Sequence, residues 1–223
     1  MRLVETRDNE RTGTLRLGVA ERSDAARWVP LIQSAYRGDA SRQGWTTEAD
    51  LLEGQRLDLD MALELIDDPH GEILLAEDAA GDLVGSIQIQ PEADQVAYVG
   101  LFAVAPNHQG RGTGSLLLEW AVAECQNRWN STQIRMTVLR QRAELISYYE
   151  RRGFQPTGRF EPFPYGEPRF GLPQVDDLEF VELVRVTVPT TPVVPPQPSP
   201  AATKGRPVSA APPPNRRARR GRA

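Results

Sequence analysis

The chain of 223 residues has one cysteine, two histidines and no long apolar run, and these shortages exclude whole classes of function. A lone Cys125 cannot build an intramolecular disulfide framework, so the chain suits a reducing compartment. Set in the apolar pattern LLLEWAVAEC, that cysteine reads as a small buried hydrophobe rather than a catalytic thiol. No apolar stretch approaches the ~20 residues that span a bilayer, and the opening MRLVETRDNERTG lacks the apolar segment of a secretory signal. A cytoplasmic protein without membrane contact is expected, and no metal site.

What is present is an uneven charge. The net charge is −4, yet residues 187–223 carry seven cations and no acid, so the first 186 residues carry −11. An acidic body favours cationic substrates by electrostatic focusing, although surface charge often serves only solubility. The tail has ten prolines in 37 residues, too few apolar groups to fold, and reads as disordered. Its ending NRRARRGRA suits weak contact with nucleic acid or another anionic surface, or is simply a solvated end. Three segments are expected: a flexible lead-in over 1–13, a folded domain over 14–186, and the Pro-rich basic tail over 187–223.

Within the body, Leu15 to Val19 reads as a short first strand. Ser23 is a candidate cap for a helix presenting Trp28, Leu31, Ile32 and Ala35 on one face, which Pro30 should kink or split. Tyr36 to Thr47, with two glycines, two arginines and two aromatics, is an irregular candidate binding loop. Thr47 with Asp50 predicts a short helix through Leu52, and Asp58 or Asp60 caps another running to Ile66. Glu72 to Glu77 and Leu83 to Gln90 form a hairpin. Strand Val96 to Val104, helix Thr113 to Trp129, strand Thr132 to Val138 and helix Gln141 to Arg152, ended by Gly153, follow. Phe154 to Thr157 starts a short strand, Gly158 to Asp177 is a rigid aromatic loop, and Leu178 to Val186 closes the sheet.

The chemistry centres on VAYVGLFAVAPNHQGRGTGSLLLE, Val96 to Glu119. A strand that feeds a helix through a glycine-rich turn leaves backbone N–H groups unpartnered at the positive end of the helix dipole, which is a phosphate cradle. A nucleotide P-loop would need a lysine after the glycines, and a dinucleotide fingerprint would need G-x-G-x-x-G; glycines at 110, 112 and 114 fit neither. A plain structural turn is the bland alternative. Downstream, Tyr148-Tyr149-Glu150-Arg151-Arg152-Gly153-Phe154 ends the second long helix.

Together, Q-x-x-G-x-G after a strand and the tyrosine-acidic-basic-Gly-Phe helix end resemble the GCN5-related N-acetyltransferases, over about residues 14–186. The stretches AYRGDASRQGWTTEADLLEGQR, from Ala35, and RFEPFPYGEPRFGLPQVDDLEF, from Arg159, also look like a bacterial subgroup of presumed acetyltransferases, which supplies no acceptor. The resemblance implies an α/β (α+β) fold with a mixed, mostly antiparallel, splayed central sheet flanked by helices. It implies acetyl-CoA as cosubstrate and a primary amine of a small molecule or peptide as acceptor, attacked directly through a tetrahedral intermediate.

Carried over residue by residue, the backbone of Gly110, Arg111, Gly112, Thr113, Gly114 and Ser115 would hold the pyrophosphate, with Gln109 fixing the turn. Phe102, Ala103 and Val104 would pair with the pantetheine arm as an added strand. Tyr149 would protonate the departing thiolate, or else be an ordinary buried aromatic. Tyr148, about 100° round the helix, should face elsewhere and pack. His108 is either a base or only rim. Tyr98 stands where many members carry a glutamate base, and a reference pKa of about 10 makes it a poor one. Water, Glu48, Asp50 or Glu53 would then take the proton, unless the amine arrives neutral. The rival from another class is a non-catalytic acyl-CoA-binding module whose tail is the working part.

Overall fold

A computed structural model describes residues 1–9 and 13–187. Strand β4 (Glu72–Glu77) shows how the core is organised. Side chains alternate across a strand, and here Leu74 and Ala76 pack into one apolar cluster while Ile73 and Leu75 pack into another. The sheet is therefore buried on both faces. Helix α1 (Ala25–Tyr36) and α3 (Leu59–Asp67) cover one face through Trp28, Ile32, Met61 and Ala62. Helix α4 (Thr113–Trp129) covers the other through Leu117, Leu118, Trp120 and Ala121, joined by Tyr149 of α5 (Ala143–Glu150). A four-residue helix, α2 (Gly38–Ser41), follows α1.

The remaining strands are β1 (Arg2–Asn9), β2 (Gly13–Val19), β3 (Leu52–Glu53), β5 (Leu83–Pro91), β6 (Val96–Val104), β7 (Gln133–Leu139), β8 (Gln155–Pro162), β9 (Leu172–Pro173) and β10 (Glu179–Val186). Seven of them join β4 in one eight-stranded sheet, in the order β1-β2-β4-β5-β6-β7-β10-β8, and β3 pairs with β9 apart from it. Every pair is antiparallel except β6 with β7. That parallel pair holds only from Val96 to Tyr98, opposite Gln133 to Arg135, after which the strands part. On the other side of β6, Leu101 and Phe102 stand against the single residue Ile87 between the partners Gly100↔Gln88 and Ala103↔Ser86. This is a bulge, and Leu101 takes φ 42° to make it. Bulge and splay together turn the second half of β6 away from β7. The mixed, mostly antiparallel, splayed sheet matches the expected fold class.

Several expectations are corrected. Residues 2–9 are not a loose lead-in but a strand registered against β2 from Arg2↔Val19 to Asn9↔Gly13. The alternating pattern of β2 extended into a partner that local polarity concealed. Pro30 neither splits nor ends α1, which runs through it; burial of Trp28, Leu31, Ile32 and Ala35 against the sheet outweighs the lost backbone bond. The entry to α1 is capped by Glu21 and Asp24 rather than Ser23: Glu21 N–H donates to Asp24 Oδ2 at 2.7 Å. Thr47 accepts from Ala49 N–H at 3.0 Å, but the turn it starts passes into β3 and not a helix. Asp58 does cap α3, accepting from Met61 N–H at 2.8 Å. Strand β8 runs on to Pro162, and β10 lies inside the sheet between β7 and β8 instead of at its edge. The tail from residue 188 lies outside the described residues.

Candidate active site

The gap between β6 and β7 opens into two neighbouring cavities. The first, about 390 Å³, lies over the glycine-rich turn and is lined by Phe102, Ala103, Val104, Gln109, Gly110, Gly112, Gly114, Ser115 and Tyr149 from the predicted set. Arg111, exposed, and Thr113, buried under the first turn of α4, do not line it. Gly110 at φ 75° and Gly112 at φ 105° hold left-handed conformations that side chains resist, and Gly112 caps α4. A Cβ at Gly114 would come within 3.1 Å of the Tyr148 hydroxyl and 3.5 Å of Phe102 and Val104. The floor of the cradle is thus bare backbone where an anion needs close approach. The residues present fit the pyrophosphate and arm of a CoA-type ligand.

Gln109 does more than shape the turn. Its Nε2 donates to Val104 O at 3.0 Å and its Oε1 accepts from Trp45 N–H at 3.0 Å, tying the loop before Thr47 to the end of β6. Space for a Cβ at Gly44 is taken by that same amide, at 2.5 Å. Trp45 then stacks on Tyr148 with ring centroids 5.4 Å apart, and the Arg152 guanidinium lies 3.5 Å over the Tyr148 ring while donating to Ser115 Oγ at 2.6 Å. Tyr148 therefore belongs to the cavity wall with Tyr149, although its place about 100° round the helix predicts that it faces elsewhere and packs. The wall curves round the end of α5 and so uses two adjacent faces of one helix. Trp45, Thr46, Arg142, Arg151 and Arg152 also line this cavity; the aromatic and charged composition of the loop before Thr47 was the signal for the first two.

Tyr149 is 5% exposed, set edge-on to Tyr148 and Phe154 and 6.3 Å from Phe102. Burial pushes its phenol up, with Tyr36 adding to the rise and Arg142 opposing it. Its hydroxyl makes no hydrogen bond among the described residues.

The second cavity, about 290 Å³, shares Tyr36, Phe102, Arg142, Leu145 and Tyr149 with the first. It continues past Glu48, Arg56 and Tyr98 to Glu161, Phe163 and Phe170. At its centre Glu48 receives Arg37 Nη1 at 2.5 Å on Oε2 and Arg142 Nη1 at 2.7 Å on Oε1. Arg142 also donates to Thr46 Oγ1 at 2.8 Å, and Arg37 to Phe170 O at 3.3 Å. Burial alone would raise the Glu48 carboxyl, but Arg142, Arg37 and Arg56 outweigh it and hold the group below its ordinary range. Burial pulls Arg37 down as well, from a starting value so high that it stays charged.

Glu48, with both oxygens taken, is a counter-ion and not a free base. Asp50 and Glu53 are exposed and line neither cavity. Tyr98 does line the second cavity, its hydroxyl 3.3 Å from Thr137 Oγ1. His108 lines neither and sits 4.0 Å from Asp78. Among the described residues no His/Cys/Asp/Glu group is arranged to hold a metal, and no helix is long and apolar enough to cross a membrane.

Residues 32–154, more than half of the chain, match the model of the acetyltransferase (GNAT) family. The chain belongs to that family. Its fold is similar to spermidine N-acetyltransferase from Vibrio cholerae in complex with CoA and spermine, at 19% identity over 77% of this chain and 95% of that one, TM-score 0.57. It is similar also to the ribosomal-protein-S18-alanine N-acetyltransferase from Escherichia coli, at 15% identity over 77% and 93%, TM-score 0.57. A GNAT-family acetyltransferase from Staphylococcus aureus Mu50 gives 16% identity over 77% and 98%, TM-score 0.54. No curated protein sequence matches the chain.

Proposed function

We propose that the protein moves an acetyl group from acetyl-CoA to a primary amine of a small molecule or peptide. The carrying observation is the position of Tyr149, whose ring lines both cavities at once. In this reading the backbone from Gly110 to Ser115 holds the pyrophosphate, Phe102 to Val104 run beside the pantetheine arm, and the second cavity takes the acceptor. The neutral amine attacks the thioester carbonyl carbon; a C–N bond forms, and the C–S bond breaks as the tetrahedral intermediate collapses. Tyr149 gives its proton to the leaving sulfur and regains one released by the new ammonium. A phenol raised by burial stays protonated near neutral pH, which suits an acid and not a base. With Glu48 ion-paired, water carries the proton from the amine, or the amine binds already neutral. A reducing, cytoplasmic setting agrees with the single free Cys125.

Titration of the full chain with CoA, followed by thiol release from acetyl-CoA across a broad amine panel, tests the reading. Binding with turnover is expected. Neither binding nor release would end it. Binding without turnover, with salt-dependent nucleic-acid binding that disappears on truncation after Thr187, would favour the non-catalytic module instead.

A further inference from the structure

The second cavity has an excess of positive charge that its own residues do not neutralise. Three guanidinium groups, Arg37, Arg56 and Arg142, line it against two carboxylates, Glu48 and Glu161. Glu161 is engaged by Arg135, outside the lining, at 3.1 Å. Glu48 alone answers the three arginines. Arg56 lies 5.2 Å from the centroid of Tyr36 and Arg142 lies 5.9 Å from the same ring, and all three line the cavity. Arg56 makes no ion pair among the described residues. Arg37 and Arg142, with side chains 1% and 10% exposed, each keep a buried Nε without a hydrogen-bond partner.

Those two Nε atoms are sealed from the cavity, so the group open to a ligand is Arg56, half-buried in the lining and without a carboxylate paired to it among the described residues. A polycation entering here meets like charge. A carboxylate meets planar forks that match it in geometry as well as sign. The small volume, at the low end of the ~300–1,000 Å³ of small-molecule sites, suits a compact acceptor.

We propose that the acceptor is an amine that also carries a carboxylate, an amino acid or very short peptide, with Arg56 and Arg142 holding the carboxylate and the amine turned toward Tyr149. This rests on the acetyltransferase reading and narrows it.

The experiment measures CoA release by the full chain with the protein amino acids and glycyl dipeptides, each paired with its C-terminal amide, beside spermidine and phosphoethanolamine. The best free acid should exceed its amide by about tenfold or more in kcat/KM, since a site built for a polar group rejects the analogue that lacks it. Whether free amino acid or dipeptide is preferred identifies the source of the carboxylate. Arg56→Gln should raise KM for the acid and collapse the acid-to-amide ratio while KM for acetyl-CoA stays as it was, and Arg56→Lys should restore part of the ratio. Equal use of acid and amide, preference for spermidine or phosphoethanolamine, or an unchanged ratio in Arg56→Gln overturns the assignment and leaves the acetyltransferase reading standing. CoA binding with no turnover of any acid counts against it in the same way, whereas absence of CoA binding removes both.

Discussion

The cavity over the glycine-rich turn has a floor of bare backbone with aromatic rings and Arg142, Arg151 and Arg152 at its walls and no carboxylate, whereas its neighbour beyond Tyr149 sets its guanidinium groups around the buried carboxylate of Glu48. The first is built on left-handed glycines, a helix start and the tilted ring pair of Trp45 and Tyr148. The second holds charge in place with charge, Glu48 pairing with both Arg37 and Arg142. A site that receives one constant ligand can be built from main chain. A site that chooses among amines needs side chains.

The sharpest way to break this comparison is to remove the carboxylate at its centre. Glu48→Ala should lower stability by about 3 kcal/mol or more, because two buried guanidinium groups lose their counter-ion; denaturant midpoints measure it, and a change within the noise would mean the cluster is not coupled to folding. The same group predicts a pH dependence. Its carboxyl is held below its ordinary value, so its stabilisation is complete above the unfolded-state pKa and disappears as pH falls through the lowered native one. As pH falls below the ordinary carboxylate range the parent protein should therefore lose more stability than Glu48→Gln, and parallel acid limbs would refute this.

Tyr149→Phe, at the junction, should cut turnover by about a hundredfold and leave CoA affinity nearly unchanged; matched losses in both would make the residue structural. On the cradle side, Gly112→Val forces a β-branched residue to φ 105° and should cost about 1–3 kcal/mol with weaker CoA binding by titration. Acceptor KM should respond less than CoA binding, because Gly112 lines the first cavity only, although the two share Tyr36, Phe102, Arg142, Leu145 and Tyr149. Smallest of all, Cys125 belongs to neither cavity and is 0% exposed, with its thiol pushed up to about 12 by burial. It should label with a disulfide reagent only on unfolding, and rapid labelling of native protein would contradict its place in the core.

The same contrast explains what the sequence revealed. The cradle was legible because backbone geometry is written locally, in glycines two residues apart between a strand and a helix, and β6 and α4 came out at their observed bounds. The charged cavity was not. Glu48 reads as a free carboxylate until Arg142, 94 residues further on, is found against it. Tyr148 reads as a packing residue facing away from the site until Trp45 and Arg152 are found against its ring. Pro30 reads as a helix breaker until the apolar face of α1 is seated on the sheet. In each case a tertiary contact overrode a local preference.

The brief pairing of β6 with β7 has a bearing on association as well as on binding. Unpaired strand edges at the rim of a sheet recruit other chains, and proteins guard them. Here one of the two rim strands, β8, has no buried residue and carries Pro156 and Pro162, which cannot donate to a neighbour. The unpaired half of β6, by contrast, opens inside the sheet, between β5 and the strands beyond the splay. An edge placed there is flanked by strands on both sides and does not stand at the rim, where a second polypeptide would extend the sheet; the more exposed template is the other rim strand, β1, with Leu3 and Val4 at its surface.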